Sequence, residues 1–507
     1  MRRELLLVFV AAVALYVPTV RYGVVQDDRA IIASNPAAHS IGAALRAFDD
    51  PYWPRETGAG LYRPVTILSY AVDWTISGGR PGWLHVMNAL WHGVATVLLV
   101  MVLARWLPTL GAVAAGLVFA WHPVHVEAVA SLVGRAELLT AVGILGAVLA
   151  ARRGRWALAV LCAAFAMFSK EHGVIVGVVI LLDKWLEPHP SDRPYPVTFW
   201  IALGVVTIGF LAAWFAVGWA GENDAAAVFY DRGTWGRLAI ALPAALRAAL
   251  VLIWPASLSV DYNPQVLPAR DGISIAAVLG FGVVVGIPAL ALWCRRRAPA
   301  ISFGAGIAAL SCLPTANLFF PAGVVLAERN LYLAVALPAV FVGWAATWLA
   351  ARRGPRPATV AVAIVGITCG WRSFARLPAW RDNRSQLVTL LAEHPESYRA
   401  HASAAAVLAG SGDTAAARRE YRRADSLFSG DRYLNAANAI FLIGIGDTAA
   451  AVPLVDRGKR SRAGERMTLR AEFLLELARG HRAEAAAIAD SASKRFAGEQ
   501  DWYLRFR

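Results

Sequence analysis

Long apolar runs separated by short polar segments occupy the first three quarters of the chain. Several runs are shorter than the roughly 20 residues that a membrane-spanning helix needs, so their flanks must contribute or their ends must lie in buried polar loops. The pattern predicts an all-α, polytopic membrane helix bundle of about eleven spans. The predicted spans lie near 5–20, 84–104, 110–121, 138–151, 156–168, 174–186, 197–220, 273–294, 301–313, 331–351 and 358–371.

Composition supports this interpretation. The 507 residues are 58% hydrophobic and 17% charged, with a mean hydropathy of +0.50, whereas soluble domains are roughly 25% charged. Soluble domains, disorder and small disulfide scaffolds are therefore excluded as classes for the whole chain. The net charge of +14 comes from dispersed arginines rather than one basic stripe, so no nucleic-acid partner is predicted.

Arginine clusters between the apolar runs predict the orientation, because basic residues favour the cytoplasmic side of a membrane. The run at 238–254 contains Pro243 and Arg247. A lipid-facing helix should avoid such residues, so this segment is predicted to be re-entrant or interfacial. The sequence thus predicts an integral inner- or plasma-membrane protein with a cytoplasmic N-terminus. The segments predicted on the outer face are 21–83, 122–137, 169–173, 257–272, 317–330 and the C-terminal region.

A repeat follows the last apolar run. Gly412, Gly446 and Gly480 lie at intervals of 34 residues, which is the length of a tetratricopeptide repeat. The first copy has Tyr421 at the aromatic position of the repeat, and the later copies are degenerate. The sequence therefore predicts two domains, a transmembrane domain over 1–380 and an α-solenoid of about three repeats over 381–507, which would hold a polypeptide on its concave face.

The predicted outer face carries most of the candidate chemistry. Asp27 and Asp28 follow the first span, and adjacent carboxylates repel, which raises one pKa and suits base chemistry; solvated juxtamembrane acids are the alternative. Cations in the same predicted loops could contact a phosphate group. These candidates for donor phosphate or substrate binding are Arg63, Arg135, Lys170 and Arg329.

Further ionisable residues at the helix ends are predicted to support the site, because such groups at membrane depth are costly and are commonly functional. The spacing of His122, His125 and Glu127 could suit a metal, but no further ligand group is evident and no metal site is predicted. A hydrogen-bonded polar plug is the other interpretation. The full supporting set is His122, His125, Glu127, Glu137, Glu171, Glu328 and Asp261.

Several motifs together resemble one known family. They are QDDRAIIASNP, YRPVTILSYAVDW, LHVMNALWH, HPVHVEAVASLVGRAELL, SKEHGV, LSVDYNP, ERNLYL and WRDNRSQLVTLLAEHPESYRAHASAA. On these motifs the chain resembles the TMTC (transmembrane and tetratricopeptide repeat-containing) protein O-mannosyltransferases of the GT-C glycosyltransferase class. The resemblance covers nearly the whole length, although the repeat array is short.

The resemblance implies a polyprenyl-phosphate-linked sugar as donor, an outward-facing active site, no required divalent metal and no other cofactor. It places the catalytic base at Asp27, with Asp28 as its neighbour or substitute. Mannose as the sugar and Ser or Thr hydroxyls as acceptors are likewise implied by the resemblance. The alternatives are a GT-C enzyme that modifies a lipid or glycan, a non-enzymatic membrane scaffold that acts through its repeats, and a transporter. A transporter is less favoured, because its ionisable groups would lie mid-span and its halves would show repeat symmetry.

Overall fold

A computed structural model describes residues 2–55, 60–187, 194–217, 225–230, 232–268, 272–460, 465–496 and 499–506. These residues form helices joined by turns and loops, and no β-strand occurs among them. The predicted all-α class is therefore confirmed.

The first fifteen α-helices carry the apolar sequence. Among the described residues, eight helical segments are long and apolar enough to cross a membrane, and three shorter apolar helices accompany them. The bounds are α1 Arg2–Leu15, α2 Ile41–Arg46, α3 Pro64–Ser77, α4 Pro81–Leu103, α5 Thr109–Trp121, α6 His125–Ala130, α7 Arg135–Arg152, α8 Trp156–Ser169, α9 Val176–Trp185, α10 Val197–Val217, α11 Thr234–Ile253, α12 Ile275–Cys294, α13 Pro299–Cys312, α14 Ala336–Arg353 and α15 Pro355–Arg376.

One predicted span is much shorter in the structure, and the end of another is not described. The run at 174–186 forms only the ten-residue helix α9, preceded by the 3-10 helix Glu171–Ile175, which is half the length that a lone span needs. The end of the run predicted at 197–220 lies outside the described residues. The count of about eleven spans therefore stays a prediction.

Helix α11 is long enough to cross, yet its ends contact segments predicted on one face. Near its start, Arg237 Nη2 donates to the Leu318 carbonyl (3.2 Å). Near its end, the Leu252 carbonyl is hydrogen-bonded to His122 Nε2 (3.0 Å). Because both partners belong to predicted outer segments, this geometry favours the interfacial or re-entrant interpretation over length alone.

Helix α7 forms the centre of the bundle, because most of its residues are buried. It packs closely on α8, where a Cβ on Gly143 would lie 2.8 Å from the Ala166 side chain. Small residues at helix contacts let backbones approach, which is how apolar helices gain packing energy in lipid. At the opposite end of α7, Arg152 and Arg105 pair with Asp183.

Short helices close the end of the bundle that contains the segments predicted on the outer face; this end is called the outer end below. Two side chains fasten α3 there: the Tyr70 hydroxyl donates to the Leu132 carbonyl (2.8 Å), and Thr66 donates to the Ser169 carbonyl (2.8 Å). Because 3-10 helices at 132–134, 171–175 and 328–331 lie between the apolar helices, their polar side chains are brought together at this end.

The C-terminal region, called the arm below, covers the described residues between 383 and 504. It forms one leading helix, three helical hairpins and one short final helix. Gly412, Gly446 and Gly480 lie between the paired helices with φ of 81° to 86°, a conformation that glycine adopts without steric cost. The tetratricopeptide assignment and the domain boundary at 380 remain predictions. The bounds are α16 Asn383–Glu393, α17 Tyr398–Gly410, α18 Thr414–Leu427, α19 Arg432–Gly444, α20 Thr448–Lys459, α21 Glu465–Ala478, α22 Arg482–Arg495 and α23 Glu499–Leu504.

The arm contacts the predicted outer end of the bundle through two hydrogen bonds and one ion pair. Asn263 Nδ2 donates to the Ser397 hydroxyl (2.6 Å), and Gln265 Nε2 donates to the Leu427 carbonyl (3.1 Å). Asp261, predicted as site support, instead pairs with Arg399 of α17 (3.2 Å). Asp261 therefore joins the bundle to the arm.

Candidate functional site

The two adjacent acids of the first outer segment have different surroundings. Asp28 is fully buried. Its carboxylate accepts backbone N–H groups from Val25 (3.0 Å), Val133 (2.9 Å) and Leu132 (3.4 Å). Burial, opposed by these hydrogen bonds, raises the pKa of Asp28 to about 7. Asp28 thus holds the first segment against the residues that precede α7, which favours a structural role.

Asp27 is the freer of the two acids. It is half-buried, and no hydrogen bond or ion pair holds its carboxylate within the described residues. The preceding Gln26 has a φ of 44°, and its N–H donates to Asn383 Oδ1 of α16 (2.8 Å). The backbone around Asp27 is therefore fixed from the arm while the carboxylate stays available.

Arg329 lies in the electrostatic neighbourhood of Asp27 and pairs with Glu127 of α6. Glu127 accepts from the Arg329 side chain (2.5 Å) and also from its backbone N–H (2.9 Å). Glu127 is buried, whereas the Arg329 side chain is 26% exposed. The pair therefore leaves part of the guanidinium accessible beside the free acid.

Lys170 forms a second pair. Its ammonium group donates to Glu137 and, at 3.1 Å, to Asn330 Oδ1. His172 Nε2 lies 3.6 Å from the second oxygen of Glu137. Burial lowers the pKa of Lys170, with the opposing charge of Glu137 as the next cause. Glu137 therefore organises Lys170 and His172 around one carboxylate.

Arg63 forms the third pair, a two-pronged contact with Glu171. Its Nε and Nη2 both donate to Glu171 Oε2, at 3.0 and 2.9 Å, and its guanidinium lies 4.8 Å from the centroid of the Tyr52 ring. The charges of Arg63 and Arg329 both act on Lys170. Three of the four predicted phosphate contacts are thus neighbours.

The fourth, Arg135, is placed differently. It is completely buried beneath α3. It pairs with Asp73 and donates to Asn88 Oδ1 (2.8 Å) and to the Leu84 carbonyl (2.9 Å). A guanidinium so fully engaged fastens helices together, so the geometry favours a structural role over phosphate binding.

The two predicted histidines contact backbone carbonyls. His122 Nε2 bonds the Leu252 carbonyl, and His125 Nε2 bonds the Tyr332 carbonyl (3.0 Å each). Glu127 faces Arg329 instead. In the part of the chain that the structure describes, no group of three or more His, Cys, Asp or Glu side chains is arranged to hold a metal ion. The histidine motif therefore has the geometry of the polar plug.

Glu328 lies behind this cluster and is fully buried. Its Oε1 accepts from the Ser259 N–H (2.8 Å) and the Tyr262 hydroxyl (3.0 Å), while Oε2 has no hydrogen-bond partner in the part of the chain that the structure describes. Burial raises the pKa of Glu328 to about 8. This acid is therefore largely protonated near neutral pH.

An apolar cavity of about 130 Å³ adjoins the cluster. Helices α11, α12 and α13 line it, and residues of the segment before α14 close its polar end. Asn330, whose amide oxygen accepts from Lys170, belongs to that end. The cavity therefore connects lipid-side helices with the cation cluster.

Sequence reasoning missed Asn330, although it directly follows Glu328 and Arg329 in the ERN motif. It also missed Asp73, the buried partner of Arg135, and the Arg376–Glu393 pair at the end of α15. The signal for Asp73 and Arg376 was an ionisable residue close to an apolar run.

Comparison with known proteins identifies similar chains. Over 469 residues the chain is 27% identical to Protein O-mannosyl-transferase TMTC4 of Mus musculus, covering 78% of this chain and 62% of that protein. Over 383 residues it is 25% identical to Protein O-mannosyl-transferase TMTC3 of Mus musculus, covering 65% and 41%. Protein O-mannosyl-transferase F38B6.6 of Caenorhabditis elegans is 27% identical over 352 residues, covering 65% and 49%. The predicted resemblance to the TMTC family is confirmed.

No family model matches the chain. The chain spans less than two thirds of the length of these curated relatives. With its apolar helices, the resemblance identifies an integral membrane protein similar to named O-mannosyl-transferases.

Proposed function

We propose that the chain is a membrane glycosyltransferase that moves a sugar from a polyprenyl-phosphate donor to Ser or Thr hydroxyls of an acceptor polypeptide. The names of its relatives support mannose as the sugar. The observation that carries the proposal is the free Asp27 carboxylate beside the paired cations. Because a general base must be unengaged to accept a proton, Asp27 fits this role better than Asp28.

In the proposed reaction Asp27 accepts the proton of the acceptor hydroxyl. The hydroxyl oxygen attacks the anomeric carbon from the face opposite the phosphate, the bond from that carbon to the phosphate oxygen breaks, and the phosphate leaves with the bonding electrons. One displacement of this kind inverts the anomeric configuration, as in glycosidases where a carboxylate activates the nucleophile. The proposed reaction does not use a metal ion.

Lys170 and Arg329 are the proposed contacts for the leaving phosphate, with Arg63 supporting them. Fixed cations aimed at developing charge stabilise it without reorganisation. The apolar cavity supports a lipid-linked donor, because its polar end at Asn330 adjoins Lys170. A polyprenyl chain would lie between α11, α12 and α13 while its phosphate faces the cations.

The arm is proposed to hold the acceptor polypeptide. Its leading helix α16 contacts the backbone beside Asp27 through Asn383, so a segment bound on the arm would be held near the base at high effective concentration. In this proposal Asp27 and the arm are extracytoplasmic, and the N-terminus is cytoplasmic.

The test is Asp27→Asn in the purified full chain, with glycosyl transfer from a polyprenyl-phosphate sugar followed by mass spectrometry of an acceptor peptide. Loss of a general base is expected to lower turnover by about 100-fold or more. Asp49→Asn is the matched control, because Asp49 is an exposed acid of the same predicted outer segment, and it should retain activity. Unchanged turnover in Asp27→Asn, with normal folding, would contradict the proposed base.

A further inference from the structure

Three arginines meet at the outer ends of α11 and α15. Arg247 Nη2 donates to the Ser257 carbonyl (2.5 Å), and Arg372 Nη2 donates to the Ala256 carbonyl (3.0 Å). These carbonyls belong to consecutive residues, so both guanidinium groups are held at the same turn after α11. Arg376 follows Arg372 by one turn of α15 and lies within its electrostatic range.

Two of these arginines have no acidic partner among the described residues, and the third leaves buried donors unused. Neither Arg247 nor Arg372 forms an ion pair with any described residue. Arg376 pairs with Glu393, yet it is 3% exposed, and its Nε and Nη2 have no hydrogen-bond partner among the described residues. Within the same residues, the buried Nε of Arg247 also has no hydrogen-bond partner. Buried donors left unpaired are costly, so the cluster is incomplete without a further acceptor.

The neighbouring acids do not supply that acceptor. Glu393 is already paired with Arg376. Glu328 lies within electrostatic range of Arg376 and Arg372, but burial raises its pKa to about 8, which leaves it mostly uncharged near pH 7. Burial lowers the pKa of the nearby His394; the charge of Glu393 opposes this, and the positive charges of Arg247 and Arg376 add to the lowering. The cluster is therefore electropositive.

Exposed aromatic side chains mark the position of this cluster relative to a membrane. Trp254 at the end of α11 is 74% exposed, and Trp371 beside Arg372 is 71% exposed. Tryptophan is enriched where hydrocarbon meets lipid headgroups, and Ile253 and Phe374 add apolar surface there. The unpaired arginines thus lie at the depth where lipid phosphates occur.

We propose that Arg247, Arg372 and Arg376 bind the phosphate group of an anionic membrane phospholipid, whose acyl chains lie against Trp254 and Trp371. Guanidinium groups match phosphate oxygens in paired, charge-assisted hydrogen bonds. A phosphate between the three would accept from the unpartnered donors and offset the repulsion between them. This site does not depend on the proposed glycosyl transfer, and none of its residues belongs to the paired cation cluster.

The test is lipid binding by the full chain in detergent, measured by native mass spectrometry during titration with phosphatidylglycerol or phosphatidylcholine. Wild type is expected to bind phosphatidylglycerol in preference. The double variant Arg247→Gln/Arg372→Gln is expected to weaken phosphatidylglycerol binding by about tenfold or more, because it removes charge-assisted hydrogen bonds to the lipid phosphate. Arg384→Gln, which changes the same charge at an exposed arginine of α16, should bind like wild type.

Further arms identify the occupant. Equal binding of the two lipids by wild type, or equal phosphatidylglycerol binding by wild type and double variant, would overturn the site. Inorganic phosphate alone should not protect the protein against heat at concentrations where phosphatidylglycerol does; equal protection would overturn the lipid assignment. Displacement of phosphatidylglycerol by one equivalent of polyprenyl phosphate would assign the arginines to the donor and overturn a separate site. If the double variant does not fold, Arg372→Gln alone provides the same comparison.

Discussion

The predicted outer end of the bundle has two halves, which differ in whether their cations are paired with carboxylates. In the half around α6 and residues 170–175, each cation has its own carboxylate: Arg63 with Glu171, Lys170 with Glu137, and Arg329 with Glu127. In the half where α11 meets α15, Arg376 is paired with Glu393, but Arg247 and Arg372 donate to backbone carbonyls and have no carboxylate partner among the described residues. The number of cations in a segment therefore does not determine the charge that it offers to a ligand.

This difference separates two kinds of ligand contact. In the proposed reaction, the carboxylates of the paired half keep its cations in place before the donor arrives, so these cations would face the phosphate without reorganisation. The half with Arg247 and Arg372 has excess positive charge, and at the proposed membrane boundary it would suit a ligand that stays bound. Asp27 adjoins the paired half, where a proton acceptor would serve transfer chemistry.

The largest predicted effect comes from breaking one buried pair. Glu137→Gln would leave the buried Lys170 without its counter-charge, and loss of one partner from a buried ion pair costs about 3–5 kcal/mol of folding free energy. The measurement is the melting temperature of the purified protein in detergent near pH 7. Glu396→Gln, at an exposed acid of the arm, should leave the melting temperature nearly unchanged. Equal melting of the two variants would show that the Glu137 pair contributes no stability.

The sequence predicts most of the polar site candidates but not their division into two halves. Ionisable residues near apolar runs are recognisable from the local sequence, and this pattern predicts Lys170, Glu137 and Arg329 as site residues. Their pairing is decided by the fold, however: the Arg63–Glu171 contact joins residues 108 apart in the chain. Arg135 was selected by the same local signal, and only packing shows that it contacts Asp73 and the Leu84 carbonyl.

Asp27 and Asp28 show the same limit at single-residue scale. The sequence presents two equivalent neighbours, and the resemblance favours the first without a physical reason. The backbone N–H groups of Leu132 and Val133, more than a hundred residues away in the chain, donate hydrogen bonds to the Asp28 carboxylate and not to that of Asp27. The apolar runs were easier to predict because helix formation in lipid follows from local composition.

A second, smaller effect concerns pH, through Glu328 between the two halves. Burial raises its pKa from 4.5 to about 8, so between these values the folded chain keeps a proton that the unfolded chain releases. Its contribution to stability is complete below pH 4.5 and is lost as pH rises toward 8. At about 1.4 kcal/mol per pH unit, the loss between pH 6 and pH 8 is about 2–3 kcal/mol.

Glu328→Gln removes this dependence, because the amide cannot release a proton. Melting temperatures of wild type and variant should converge at low pH, and the variant should be the more stable protein at pH 8. The buried Asp28 is present in both proteins, so their difference isolates Glu328. Parallel curves over the whole range would show that Glu328 is ionised in the folded protein.

The smallest predicted effect tests the comparison most directly. Arg372→Gln removes a cation that has no carboxylate partner in the described chain, so no acid is left unpaired, and the cost should stay within about 0.5 kcal/mol, as for ordinary surface changes. Arg63→Gln leaves Glu171 without its cation and should cost about 1–3 kcal/mol. Both variants lose one guanidinium at the same end of the bundle, so the difference between their melting temperatures, measured in lipid-free detergent, reports the pairing. A larger loss for Arg372→Gln than for Arg63→Gln would show that the arginines at α11 and α15 hold the fold together and would remove the distinction between the halves.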